Sequence, residues 1–140
     1  MKEVLKRIEE FIVDEEKIDT LKAQELLSNF LKEIRGLHVK DYIGDYPTFI
    51  EPIYIGNNVK IGDDVLIGPN VYIGENSEIG DYGEISNAVI FNNVKIGNNI
   101  KLDMCIVLKN TILNVNNMNF EKSIIIGQSD LKENFKKISF

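Results

Sequence analysis

From Phe49 onward the apolar positions fall on a six-residue beat. FIEPIY, IGNNVK, IGDDVL, IGPNVY, IGENSE and IGDYGE follow one another, with Phe49, Ile55, Ile61, Ile67, Ile73 and Ile79 in the first place. The fifth place holds small or branched residues, Val59, Val65, Val71, Ser77 and Gly83. A period of six matches neither a 3.6-residue helix nor a long alternating strand. It predicts a short strand and a turn, repeated, which is the sequence form of a parallel β-helix. Each inward Ile then contributes about 1.5–3 kcal/mol by burial. The Asn-Asn, Asp-Asp, Pro-Asn and Glu-Asn pairs fall where such a chain must turn, and Asn, Asp and Gly enter the left-handed backbone region at little steric cost. They are read as corner residues rather than ligand-binding ones.

Further along the beat slips, and the slip is repeated. ISNAVIFNN from Ile85, LDMCIVLKN from Leu102 and FEKSIIIGQ from Phe120 align with one another at spacings of 17 and 18 residues. Three hexads make one coil of a three-sided prism, so these segments are expected to stack on one face. The pairs Val89-Ile90, Ile106-Val107 and Ile124-Ile125 place one side chain inward and its neighbour outward. Ile90, Val107 and Ile125 are expected outside, as an apolar stripe serving as a subunit interface or as a bed for terminal helices.

The flanks have another pattern. In residues 1–36, Val4, Leu5, Ile8, Phe11 and Ile12, then Leu21, Leu27, Phe30, Leu31 and Ile34, recur at helical spacing and predict a pair of amphipathic helices. Asp19 or Thr20 is placed to cap the second helix and Gly36 to end it. Residues 37–48 are expected to be a linker, residues 49–127 a prism of about four to five coils, and residues 128–140 a short helix covering the last coil.

Composition narrows the possible roles. A net charge of -6 over 140 residues argues against nucleic acid and anionic membranes as partners. The start MKEVLKRIEEF is too charged throughout for a signal peptide, and no apolar run reaches membrane-spanning length, so a cytoplasmic protein is expected. Cys105 is the single cysteine and His38 the single histidine. A multi-cysteine or three-histidine metal site is therefore not expected.

Two stretches, FIEPIYIGNNVKIG and IGDDVLIGPNVYIGENSEIGDYGEISNAVIFNNVKIG, resemble the left-handed parallel β-helix family of hexapeptide-repeat proteins. The nearer resemblance is to the C-terminal domain of sugar-1-phosphate nucleotidylyltransferases, including archaeal bifunctional enzymes that also acetylate an amino sugar phosphate. It runs from Pro47 to Gly127 and leaves out the N-terminal helices. It implies a mainly β fold, a left-handed parallel β-helix, assembled as a homo-oligomer with a trimer ahead of a dimer. It also implies a sugar nucleotidylyltransferase as a partner. The nucleotide-binding α/β domain of those enzymes, with its glycine-rich, arginine-containing loop, has no counterpart in these residues. In the acetylating relatives a Pro-His-Leu after the equivalent of NNVKI supplies the general base. Here the segment Ile96 to Leu102 reads IGNNIKL, without a histidine. The nearest ionisable residues are Lys95, Lys101 and Asp103, whose side-chain types titrate in water well away from neutral pH.

Each remaining candidate has a structural reading beside its chemical one. Cys105 aligns with Ala88 and Ser123, a place that suits a small packed side chain rather than a nucleophile. Asp63-Asp64 falls at a hexad corner and is read as a solvated turn. The expectation is a β-helix protein without catalysis of its own, bearing no cofactor or metal, that acts in oligomerisation, regulation or small-ligand binding in sugar-nucleotide metabolism. The alternative is a small acyltransferase that binds acetyl-CoA in a groove between subunits, with His38 or a group of the substrate as general base.

Overall fold

The computed structural model describes residues 2–11, 19–129 and 136–140. Its body is a three-sided β-solenoid of about 5 turns whose parallel sheets fit a left-handed β-helix. One face stacks β1 (Leu37–Val39), β4 (Ile53–Ile55) and β7 (Val71–Ile73) under the later halves of β9 (Glu84–Ile90), β11 (Ile100–Val107) and β13 (Met118–Ile126). A second face stacks β2 (Tyr42–Ile43), β5 (Val59–Ile61), β8 (Glu78–Ile79), β10 (Lys95–Ile96), β12 (Ile112–Leu113) and β14 (Gln128–Ser129). The third holds β3 (Thr48–Phe49), β6 (Leu66–Ile67) and the earlier halves of β9, β11 and β13. The hexad positions become vertical columns. Ile55, Ile73, Ile90, Val107 and Ile125 lie in register on one face, and Phe49, Ile67, Ile85, Leu102 and Phe120 on another.

The corners are made as their residue types suggest. Asn58, Asp64, Asn70, Asn76, Asn93 and Asn99 all have positive φ. The asparagine amides also hold successive coils together: Asn58 Nδ2 donates to Asn76 Oδ1 at 2.9 Å, Asn70 to Asn87 at 2.9 Å and Asn99 to Asn117 at 2.8 Å. These side chains are spent on the neighbouring coil.

Five expectations need correction, the last of them the end of the second helix. Ile90, Val107 and Ile125 point into the prism, and Val89, Ile106 and Ile124 point out. The cause is a corner one residue short. Ile85 and Ile90 occupy successive inward columns only five residues apart, with Asn87 making the turn at φ 49°. Leu102 to Val107 and Phe120 to Ile125 repeat it, turning at Met104 and Lys122. An inward count carried on in sixes is then wrong by one residue, and a one-residue slip turns every side chain over. Residues 37–48 are not a linker but the first coil, since β1, β2 and β3 pair in parallel with β4, β5 and β6. The C-terminal helix is not present over Lys136–Ser139, which forms a strand, β15, antiparallel to β13; residues 130–135 lie outside the described residues. Ile138 and Phe140 alternate with exposed Lys137 and Ser139, a period-two pattern that the open edge of β13 can pair. In the helix pair, Leu21 is 76% exposed and Ala23 takes the buried place.

The helices are α1 (Lys2–Phe11) and α2 (Thr20–Leu31). Asp19 caps α2, its carboxylate accepting from the N–H groups of Leu21 and Lys22 at 3.1 and 3.2 Å. The helix ends at Leu31 with Lys32 as its cap, well before Gly36. Ile8, Ala23, Leu27, Phe30, Leu31 and Ile34 form a second core with Val89, Ile106 and Ile124, so the outward stripe is the bed of the helices.

The prism interior has one polar discord. Ser77, Val94 and Thr111 follow one another in an inward column, and the Ser77 hydroxyl donates to the Phe91 carbonyl at 3.1 Å and accepts from the Val94 N–H at 3.2 Å. Thr111 is 1% exposed and its hydroxyl has no partner among the described residues. An unsatisfied buried hydroxyl costs about 1–3 kcal/mol. Thr111→Val keeps the shape and is expected to raise stability by about 1 kcal/mol in urea unfolding; a loss of stability would mean that the hydroxyl is bonded.

Candidate functional site

A concavity of about 730 Å³ is a groove that crosses the coils on the face of β2, β5, β8 and β10. Its floor is a column of second-place glycines, Gly44, Gly62, Gly80 and Gly97, which are needed for steric reasons. A Cβ on Gly62 would meet the Asp81 carboxylate of the next coil, one on Gly80 the Asn98 amide at 2.5 Å, and one on Gly97 the Val115 carbonyl. The same Asp and Asn oxygens accept backbone N–H groups across the coils: Asp63 donates to Asp81 at 2.9 Å, Asp81 to Asn98 at 2.9 Å and Asn98 to Asn116 at 2.8 Å. One wall is therefore a row of engaged corner side chains. The other is the outward column Lys60, Glu78, Lys95, in which Lys60 and Glu78 form an exposed ion pair at 3.6 Å. Such a groove can offer ammonium groups and amides to hydroxyl or phosphate oxygens.

The residues singled out in the sequence do not meet there. His38 lies on β1, in the column of the helix-covered face, with its ring 6.3 Å from that of Tyr54 and beside Arg35 and Glu33. Cys105 sits inside the prism between Ala88 and Ser123, as their alignment indicates, and burial pushes its thiol up from 9.0 to about 11. A thiol so buried and so weakly acidic is a packing group. Asp64 makes its corner with φ 55° while the Asp63 carbonyl accepts from the Tyr82 N–H at 2.9 Å, as a turn pair would. Lys101 pairs with Glu84 at 3.7 Å, and Asp103 accepts from the Asn87 amide at 3.0 Å. No group of three or more metal-ligating side chains occurs among the described residues.

A second cleft of about 470 Å³ opens between α1 and the prism, lined by Lys6, Glu9, Lys40, Tyr54, Tyr72 and Asn92. The Tyr54 and Tyr72 rings stack at 5.0 Å and 9°, and Phe30 of α2 meets Tyr72 edge-on at 5.5 Å. Burial, then Tyr54 and two carboxylates, push the Tyr72 hydroxyl up from 10.0 to about 12, so it remains a hydrogen-bond donor. The sequence carries the signal for this pair, since both tyrosines hold the sixth hexad place 18 residues apart, one coil.

Hexad coils closed into a three-sided prism, with charged outer columns and one face covered by helices, define a hexapeptide-type β-helix protein. The family model of the GMPPB C-terminal domain matches residues 49–135, more than half of the chain. The chain belongs to that family, the β-helix C-terminal domain of sugar nucleotidylyltransferases. No curated protein and no solved structure matches it. No described helix is long and apolar enough to cross a membrane.

Proposed function

We propose that the protein is a β-helix module of sugar-nucleotide metabolism that performs no chemistry itself and acts beside a sugar nucleotidylyltransferase, in assembly, regulation or the holding of a small ligand. The observation that carries this reading is the make-up of the groove. Its walls are lysine, carboxylate and amide side chains, many of them committed to neighbouring coils, while His38 lies on a different face and Cys105 is sealed inside. Acyl transfer to an amine or hydroxyl needs a general base within about 2.6–3.2 Å of the proton it takes. Membership of the GMPPB C-terminal domain family supports the metabolic setting.

The test is acetyl-CoA consumption by the purified chain with a panel of amino sugar phosphates, alongside thermal shifts with acetyl-CoA and nucleoside diphosphate sugars. A ligand held by the native state raises the melting midpoint, by about 2.7 kcal/mol of added stability at a hundredfold excess over Kd. No turnover is expected, and any shift should come from the sugar nucleotide. Turnover abolished by His38→Ala would replace this reading with the acyltransferase one.

A further inference from the structure

The cleft between α1 and the prism differs from the groove in how many of its side chains are unspent. Its volume of about 470 Å³ falls within the roughly 300–1,000 Å³ usual for small-molecule sites. Leu5, Lys6 and Glu9 of α1 form one wall. Lys40, Asn57 and Glu75, at the corner between the first and second faces in three successive coils, form the other. Tyr54 and Tyr72 line the cleft from neighbouring strands in register. After burial and the neighbouring Tyr54, the charges of Glu75 and Glu9 keep the Tyr72 hydroxyl protonated. Both carboxylates belong to the cleft, so the hydroxyl they act on lies on the cleft side of its ring. In the groove, Asp81, Asn98 and Asn116 are spent on backbone N–H groups of the preceding coil. In the cleft, no side chain among the described residues pairs with Lys6, Lys40, Asn57 or Glu75, or with either tyrosine hydroxyl, and Glu9 has only Lys109, at 4.0 Å.

We propose that this cleft binds a neutral hexopyranose, free or as the end unit of a glycoside, through its hydroxyl groups. A sugar hydroxyl donates one hydrogen bond and accepts others, so it can be met by every kind of group in the lining. Lys6 and Lys40 only donate, Glu9 and Glu75 only accept, and Asn57 and the two tyrosine hydroxyls do both. A phosphate or carboxylate ligand has acceptors alone and would face two carboxylates for its two ammonium groups, in a chain of net charge -6. A cation meets the same balance with the signs exchanged. A wholly apolar ligand would strip water from these polar groups and give nothing back. Leu5 and the edges of the tyrosine rings supply apolar surface for the C–H face of a pyranose. With α1 on one side and three coils on the other, the bound sugar ties the helix to the prism. The inference goes beyond the role proposed above, since neither the groove nor a nucleotidylyltransferase takes part in it.

The test is a saturation-transfer NMR titration of the full chain with the methyl α-glycosides of glucose, mannose and galactose, with inorganic phosphate and glucose 1-phosphate run beside them. Saturable binding of at least one glycoside is expected, undisturbed by inorganic phosphate. Tyr72→Phe keeps the ring that stacks on Tyr54 and meets Phe30, and the loss of one hydroxyl should weaken binding about tenfold. Glu75→Gln should do the same, with circular dichroism confirming that both variants are folded. A saturating glycoside should also slow amide hydrogen exchange in α1. The proposal is overturned if no glycoside binds, if glucose 1-phosphate binds more tightly than every glycoside, if both variants bind as the parent does, or if the slowed amides lie in β5, β8 and β10 and not in α1.

Discussion

Ile67→Asp is expected to abolish cooperative unfolding, leaving a chain that gives no folded signal in circular dichroism and collects in the insoluble fraction. Ile67 is 0% exposed and sits inside the column between Phe49 and Ile85. The change forfeits about 1.5–3 kcal/mol of burial. It also puts a carboxylate where the contacts are apolar, and an unpaired buried charge costs several kcal/mol more. Together these approach the 5–15 kcal/mol that typically holds a domain of this size. Ile67→Val serves as the control and should cost about 1 kcal/mol. A melting midpoint for Ile67→Asp within a few degrees of the parent would mean that the column does not face inward.

Gly97→Ala should be almost as damaging, although it adds a single methyl group. The added carbon would enter the Val115 carbonyl and lie 2.8 Å from the Asn116 amide oxygen, which accepts the Asn98 N–H. A flexible side chain could swing away, but here the obstacle is the backbone of the next coil. Relief requires widening the spacing between strands and stretching the bonds on either side. Overpacking of this kind costs typically 1–3 kcal/mol and occasionally more. We expect about 3 kcal/mol in urea unfolding. Gly83→Ala is the contrasting change. It fills a fifth-place position with its nearest neighbour, an Ile79 methyl, at 3.3 Å, and its cost should stay below about 1 kcal/mol. Equal losses at the two positions would show that the next coil does not set the requirement for glycine.

Most of the prism can be read from the sequence because its physics is local and repeated. One hexad states what the next must do, so the Ile columns, the Asn corners and the stacking of Ala88, Cys105 and Ser123 follow from spacing alone. What escapes is set by length or by distant partners. The five-residue corners shift the phase without changing the residue types around them. Residues 37–48 carry a single Ile-Gly pair, Ile43-Gly44, and their coil has Tyr42 and Phe49 where later coils carry Val59 and Ile67, so the six-residue beat is hard to see there. The C-terminal strand depends on an edge that exists only once the last coil has formed. The chemical candidates were legible chiefly by exclusion, with Cys105 placed by its alignment and IGNNIKL by its missing histidine. The glycine-floored groove and the Tyr54-Tyr72 stack are both periodic signals, but seeing them as walls and floors requires the coils to be closed.

The shortened corners lie beside two separate packing problems. Val89 belongs to the core shared with the helices, and Ile90 to the interior of the prism, across a single peptide bond. One coil earlier Ile67 and Ile73 span the same corner with six residues, and Ile85 and Ile90 span it with five, yet all four stay in the inward columns. Asn87, Met104 and Lys122 carry the short form through three successive coils. The edge therefore takes up a one-residue difference in the turn itself and leaves the two cores apart. Chain length at this corner is set by how tightly the backbone turns, not by which side chains the strands on either side must bury.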